Sequence, residues 1–292
     1  MTTQVGMIGV GLMGHGIARN VLKAGFGLHF LEHAGNQPVE DLLGAGAVAY
    51  ANVQQVAQAS NVLILCVTGA PEVQAILTGE QGALAALRPG TVVVDCSTSV
   101  PAVSKRMAQL VAQAGAAYLD APMTRTAQAA HDGTLHLLVG GDAQVLEQVR
   151  PVLDAFTEKV HHVGDVGNGH SLKLLHNFVS LGSIALIAEA AACAEHNGVD
   201  PATFVEVLAA GGGAGVPLER LRPYITAQDA SSLPFFMANA QKDLGYYVQM
   251  AGDSDSAQRI GQAVEHTYEA AVQSGGPQTY VPELVRLLAE RH

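Results

Sequence analysis

The stretch "VGMIGVGLMGHGIARNVLKAG", residues 5–25, decides the fold. Its opening, "VGMIGV", reads as a β-strand, and "MGHGIARNVLKAG", residues 13–25, reads as a helix that Gly25 closes. Between them Gly9, Gly11 and Gly14 stand in G-x-G-x-x-G spacing. After a strand and before a helix, each glycine has a separate task. Gly9 permits a tight turn, Gly11 lets a pyrophosphate approach the backbone, and Gly14 lets helix and strand pack closely. Leu12 and Met13 lie between them, where a helix N-terminus offers free N–H groups and a positive dipole end. Outside this context an ordinary glycine-rich turn would explain the motif; inside it, the expectation is a dinucleotide site.

Working outward, "LHFLE" reads as the second strand, closed by Glu32 about 20 residues past the glycines. A carboxylate there accepts hydrogen bonds from the adenosine ribose hydroxyls and repels a 2′-phosphate. No arginine adjoins it, and His33 is the nearest cation, so NAD is favoured over NADP. "NVLILCV", "TVVVDCS", "AAYLDAP" and "LHLLVGG" follow, with alanine-rich helical stretches between them. Short apolar runs alternating with helices imply a mostly parallel sheet covered on both faces. Beyond Gly169 the strand signal ends. "SLKLLHNFVSLGSIALIAEAAACAEHNG" reads as one helix, apolar nearly all round, and "DPATFVEVLAAGG" as another, with Asp200 as N-cap and Pro201 at N1. The expected fold is an α/β Rossmann-type domain over 1–163 followed by an all-α domain over 164–292.

Among 292 residues, Lys and Arg number 15 against 26 Asp and Glu, a formal net charge of −11. Phosphate-backbone binding needs clustered cations, so nucleic acid is not an expected partner. An anionic ligand must be held by a local positive group. No run of about 18 uninterrupted apolar residues is present, and the N-terminus lacks a basic n-region, so neither a membrane span nor a signal peptide is expected. Cys66, Cys96 and Cys193 are widely separated, without metal spacing. The 12 histidines include no H-E-x-x-H pair. The expectation is a cytoplasmic protein that uses no metal.

Two further stretches carry chemistry. In "GDVGNGHSLKLLHNF", residues 164–178, three glycines give a flexible approach to the helix. Lys173 and Asn177 follow at i and i+4, on one helix face. A lysine in so apolar a helix either snorkels to water or donates a proton to a bound substrate. The preceding dinucleotide half and the Asn one turn on favour the second. His170 and His176 read as helix-face or packing residues. In "DAPMTRTAQAAHDGTL", residues 120–135, Arg125 stands between Thr124 and Thr126. Its planar fork of donors suits a carboxylate, sulfonate or phosphate; the plainer reading is a solvated loop arginine.

Four blocks together resemble the β-hydroxyacid dehydrogenase family, which includes 3-hydroxyisobutyrate dehydrogenase and the tartronate semialdehyde, succinic semialdehyde and sulfolactaldehyde reductases. They are residues 6–25, "DAPMTRTAQAAHDGTLHLLVGG", "GDVGNGHSLKLLHNF" and "QKDLGYYVQMA", in the family's order along nearly the whole chain. The resemblance implies a 6-phosphogluconate dehydrogenase-like pair of domains, with Lys173 as catalytic acid/base and Asn177 as its partner. It implies Lys242 near the nicotinamide, Thr98 of "DCST" beside the nicotinamide ribose, and Val67 along the adenosine path. The substrate loop of such enzymes runs roughly Asp-x-Pro-Val-Ser-Gly-Gly. Here it reads Asp120 to Thr126, with Met123 for Val, Thr124 keeping a hydroxyl, and Arg125 and Thr126 in place of two glycines. The sulfolactaldehyde branch also has Arg-Thr, preceded by Gly where this chain has Thr124. The implied activity interconverts a small acid-bearing aldehyde and its hydroxy acid, in a homodimer or homotetramer. Two other readings are a sulfonate-specific reductase and a dinucleotide-binding sensor without turnover. An imine reductase is a minor option, since those relatives usually lack the lysine.

Overall fold

Strand β1 (Gln4–Ile8) is apolar on both sides because it lies in the middle of a parallel sheet, with β2 (Gly27–Leu31) on one side and β4 (Val62–Leu65) on the other. With β3 (Val48–Tyr50), β5 (Val92–Asp95) and β6 (Ala117–Asp120) the sheet has six strands, in the order β3-β2-β1-β4-β5-β6. That is the doubly wound dinucleotide-binding order, and the sheet pairs in parallel throughout. The structure, a computed structural model, describes residues 2–290.

Side-chain alternation explains the uninterrupted apolar runs. Val5, Met7, Val62, Ile64, Val92 and Val94 enter one core with α1 (Gly14–Lys23), which contributes Ile17 and Val21. Ile8, Leu63, Leu65 and Val93 enter a second core, shared with α3 (Val53–Ala59), α4 (Ala70–Thr78) and α5 (Pro101–Gln113), after the short α2 (Glu40–Gly44). Neighbouring residues of a strand face opposite ways, so a strand covered twice has no polar side.

A second, three-stranded sheet joins β7 (Met123–Thr124), β8 (Leu135–Val139) and β9 (Thr157–His162). Helices α6 (Ala127–Asp132) and α7 (Ala143–Leu153) fill the connections. Strands β3, β7 and β9 are not in the sequence reading. Two are very short, and β9, "TEKVHH", is largely exposed and carries no apolar run. At the ends of β4 and β5, burial pushes the Cys66 thiol up to about 12 and Cys96 well above the ordinary thiol range. Both are free thiols with little thiolate to react.

Helix α8 (Asn168–His196) runs 29 residues. Gly169 lies inside it and not in a flexible approach. An added Cβ there would meet Leu138 O at 2.4 Å, so close packing is what that glycine supplies. The compact units are Met1–Lys173 and Leu174–His292, so they part within α8; the sequence reading divides the chain before that helix, at 163/164. By length and composition α8 could cross a membrane, a test that the core helix of a soluble protein also passes; 44% of its apolar stretch is buried in the protein. Its inner residues Leu181, Ile184, Ala188 and Ala191 form the core of the second unit with Leu244, Tyr268 and Leu284. That unit is completed by α9 (Pro201–Ala209), α10 (Val216–Ala227), α11 (Met237–Asp253), α12 (Arg259–Gly275) and α13 (Leu284–Ala289). Asp200 caps α9 through Thr203 N–H, and Pro201 takes the first helical position.

Candidate cofactor and catalytic residues

The turn from β1 to α1 is built from two glycines that touch and one that does not. Gly9 has φ +97°, and a Cβ on it would lie 2.1 Å from Cys66 O. A Cβ on Gly14 would lie 2.0 Å from Gly9 O. Gly11 is different, since its Cβ would meet only Gly35 O, at an ordinary 3.7 Å. The protein itself gives no reason for glycine at position 11, whereas a pyrophosphate laid against the backbone does. Helix α1 also starts without a side-chain cap, although His15 N–H in its first turn donates to Gly11 O at 2.9 Å. These features fit a dinucleotide.

The contrast makes an expected result. Gly11→Ala keeps the melting temperature of the wild type and raises the NADH Kd by about tenfold or more, at least 1.4 kcal/mol. Gly9→Ala costs about 2 kcal/mol of stability or more, from overpacking and left-handed strain. Thermal melts and fluorescence titration of both variants check this. Equal NADH affinity in Gly11→Ala would leave that glycine without a role.

Other cofactor candidates gather at the carboxyl ends of the strands. Glu32 is exposed just past β2, its N–H bonded to Tyr50 O at 2.9 Å. Val67 follows β4, and its Cγ1 lies 3.1 Å from the position of a Gly9 Cβ. Thr98 follows β5 beside Ser97, whose hydroxyl accepts from Val67 N–H at 3.1 Å. Leu12 is exposed and Met13 half-buried at the start of α1. Asn36, which no motif marks, steadies the glycine turn. Its side chain accepts from Val10 N–H at 3.3 Å and donates to Leu31 O at 2.9 Å.

The start of α8 is capped by a buried carboxylate. Asp120, wholly inaccessible at the end of β6, accepts from Gly167 N–H and His170 N–H, each at 2.8 Å. Burial raises the Asp120 carboxyl above its ordinary value, against the opposing pull of His170 and the two N–H donors. Because α8 is continuous, Lys173 and Asn177 lie one turn apart on one face. Within the second unit Asn177, nearly buried, donates to Asp243 Oδ2 at 2.7 Å. Asp243 Oδ1 lies 2.9 Å from Lys242 Nζ, an ion pair by distance though not aligned as a hydrogen bond. Lys242 also sits over the Tyr246 ring, 5.1 Å from its centre. Asn177 and Lys242, the second of them implied only by the family resemblance, are thus joined by a buried aspartate.

In the loop after β6, Met123 and Thr124 form β7 against Leu137 and His136. Thr126 caps α6, its hydroxyl accepting from Ala129 N–H at 3.4 Å. Arg125 holds φ +83°, in the region that favours glycine. Its Nη1 donates to Glu158 Oε2 on β9 at 2.6 Å and to Thr134 O at 3.0 Å. The guanidinium therefore already has an anionic partner. Among the described residues, the one group that could hold an ion by geometry is Glu265, His266 and Glu269, on α12 and mostly exposed. Exposed acidic groups of this kind are common without a metal.

Residues 4–164 match the NAD binding domain of 6-phosphogluconate dehydrogenase, and residues 167–288 match the NAD-binding domain of NADP-dependent 3-hydroxyisobutyrate dehydrogenase. The chain belongs to the β-hydroxyacid dehydrogenase family.

As a β-hydroxyacid dehydrogenase it is an NAD(P)-dependent oxidoreductase acting on CH–OH groups. It is 33% identical to 2-hydroxy-3-oxopropionate reductase of Escherichia coli, over 85% of this chain and 84% of the relative. It is 31% identical to the NAD-dependent L-serine dehydrogenase of Pseudomonas aeruginosa, over 93% of each. The fold is that of 3-hydroxyisobutyrate dehydrogenase from Mycobacterium tuberculosis, with TM-score 0.88 over 99% of each chain at 24% identity.

Proposed function

We propose that this dehydrogenase interconverts a small acid-bearing aldehyde and its hydroxy acid, with Lys173 as general acid/base. The observation that carries the reading is the pairing on α8. Lys173 stands one turn before an asparagine whose amide is held by the buried Asp243, which also pairs Lys242. A structural lysine needs no such neighbour. A bound nicotinamide supplies or accepts the hydride. The chain's own residues hold the substrate and manage the proton on its oxygen. Protonated Lys173 gives that proton when the aldehyde is reduced, and neutral Lys173 takes it when the alcohol is oxidised. Asn177 orients the same oxygen through its fixed amide.

The acid group rests on Arg125 and the Thr124 hydroxyl. L-serine and 2-hydroxy-3-oxopropionate, in the relatives' names, each carry a carboxylate. A sulfonate is the second reading of the same loop, favoured by the Arg125-Thr126 pair. Glu32 at the end of β2 supports NAD over NADP. The same reading has the enzyme working in the cytoplasm as a homodimer or homotetramer, with neither nucleic acid nor membrane as partner.

The test is NADH consumption at neutral pH with succinic semialdehyde, glyoxylate, tartronate semialdehyde, methylmalonate semialdehyde and sulfolactaldehyde, with NADPH in parallel. Turnover of one carboxylate aldehyde, faster with NADH, is the expected result. Turnover of sulfolactaldehyde alone would move the assignment to a sulfonate, and equal rates with NADPH would remove the role given to Glu32.

A further inference from the structure

His170 has no part in the chemistry just described, yet it lies three residues before Lys173 with no solvent exposure. Its ring reaches two elements of the first unit. Nε2 lies 3.0 Å from the Ser97 carbonyl oxygen and Nδ1 lies 2.7 Å from the Ser104 hydroxyl. A carbonyl only accepts, so Nε2 carries the proton and donates to it. Nδ1 pairs with the hydroxyl of Ser104, which is itself fully buried on α5. The backbone N–H of His170 is taken by Asp120 on β6, whose carboxylate also lies 3.7 Å from Nδ1. One residue of α8 is therefore fixed from three directions.

Its partner Ser97 is equally constrained. Ser97 N–H donates to Asp95 Oδ1 at 3.0 Å, and Tyr118 OH donates to Asp95 Oδ2 at 2.8 Å. The Ser97 hydroxyl accepts from Val67 N–H. An unbroken set of hydrogen bonds thus runs from Val67, through the corner that carries Thr98, to the helical turn that carries Lys173. Gly169 adds to the seat, because a side chain there would strike Asp120 O at 2.6 Å. The helix start cannot shift without breaking several buried bonds, each costly to leave unmade.

We propose that His170 is a positioning residue, whose buried imidazole fixes the turn bearing Lys173 against the Ser97–Thr98 corner. The proposal rests on the acid/base reading of Lys173. A side chain that donates at the Nε2 position can replace the ring, and one that cannot donate leaves the Ser97 carbonyl unpaired. His170→Gln keeps that donor. His170→Ala removes it, while Ser104 falls back on Val100 O, at 3.4 Å in its own helix.

The test uses the full chain, NADH, and the aldehyde among the five above that wild type reduces. His170→Ala is expected to lower kcat by about 10- to 100-fold, the effect of misplacing a catalytic group by about an ångström. The NADH Kd stays within about twofold, and His170→Gln restores kcat to within a few-fold of wild type. Hydrogen exchange in residues 166–176, which needs no substrate, is expected to quicken in His170→Ala and to recover in His170→Gln. If His170→Ala does not fold, Ser104→Ala takes its place, with a several-fold loss of kcat expected at unchanged Kd. A folded His170→Ala or, failing that, Ser104→Ala with wild-type kcat overturns the proposal, as does exchange that does not change or a Kd that rises as much as kcat falls. Lys173→Ala beside them separates the two ideas. An active Lys173→Ala sinks the acid/base reading, whereas a dead Lys173→Ala with an unaffected His170→Ala sinks only the positioning.

Discussion

Lys173→Ala is expected to lower kcat for aldehyde reduction by about 10²–10⁴-fold, the range that general acid–base help supplies. The NADH Kd is expected to stay within about twofold, because the cofactor candidates lie at the β1–α1 turn and the strand ends and do not include Lys173. The loss falls on kcat and kcat/KM together, the signature of a group that acts in the transition state. Direction matters as well. Lysine has an ordinary pKa of about 10.4, so at neutral pH the protonated form that reduction needs predominates. Oxidation of the hydroxy acid needs the neutral amine. Its rate is expected to rise with pH through the alkaline range while the reductive rate falls. Rates from pH 6 to 10.5 in both directions, for wild type and Lys173→Ala, measure this. A flat oxidative profile with chemistry limiting, or an alanine variant that keeps its activity, would assign the proton to another group.

The sequence exposes some of this architecture and hides the rest for identifiable reasons. Strands β1, β2, β4, β5, β6 and β8 are legible because a strand covered on both faces has to be apolar at nearly every position. Strand β9 turns only Thr157 and Val160 inward while Glu158, Lys159, His161 and His162 face solvent, so it carries no apolar run and is recognised by its pairing with β8. The glycine turn is legible for another reason. At Gly9 and Gly14 the backbone comes so close to its neighbours that no other residue fits, so geometry dictates the letter. Lys173 and Asn177 are legible because a helix places them together by spacing alone. Asp243 is not, since its value lies in a bond to a residue 66 positions away. His170 is hidden in the same way, with Ser97 73 positions off. Local geometry writes itself into local sequence; partners brought together by topology do not.

Arg125 shows how such a distant partner alters a residue that the sequence singles out, and it carries the second large expected effect. Arg125→Ala is expected to raise KM for the acid-bearing aldehyde by about 10- to 100-fold, the worth of a hydrogen-bonded charge, with little change in NADH affinity. Glu158 complicates the reading, because it already holds the guanidinium at 2.6 Å. Magnitude decides between a fixed strut and an available cation. Arg125 and Glu158 are 39% and 46% exposed, and a pair so open to water contributes at most about 1 kcal/mol. A substrate acid group that offers two oxygens to the planar fork can outbid that. Glu158→Gln, which removes the competitor, is therefore expected to lower KM by about 1.5- to 5-fold. If Arg125 only ties the loop to β9, Glu158→Gln leaves KM unchanged. The backbone needs its own control, because alanine at φ +83° is as strained as arginine there. Arg125→Gly removes both charge and strain. Equal rises of KM in Arg125→Ala and Arg125→Gly place the effect in the charge. Wild-type KM in Arg125→Gly would show that the loop geometry matters and the guanidinium does not.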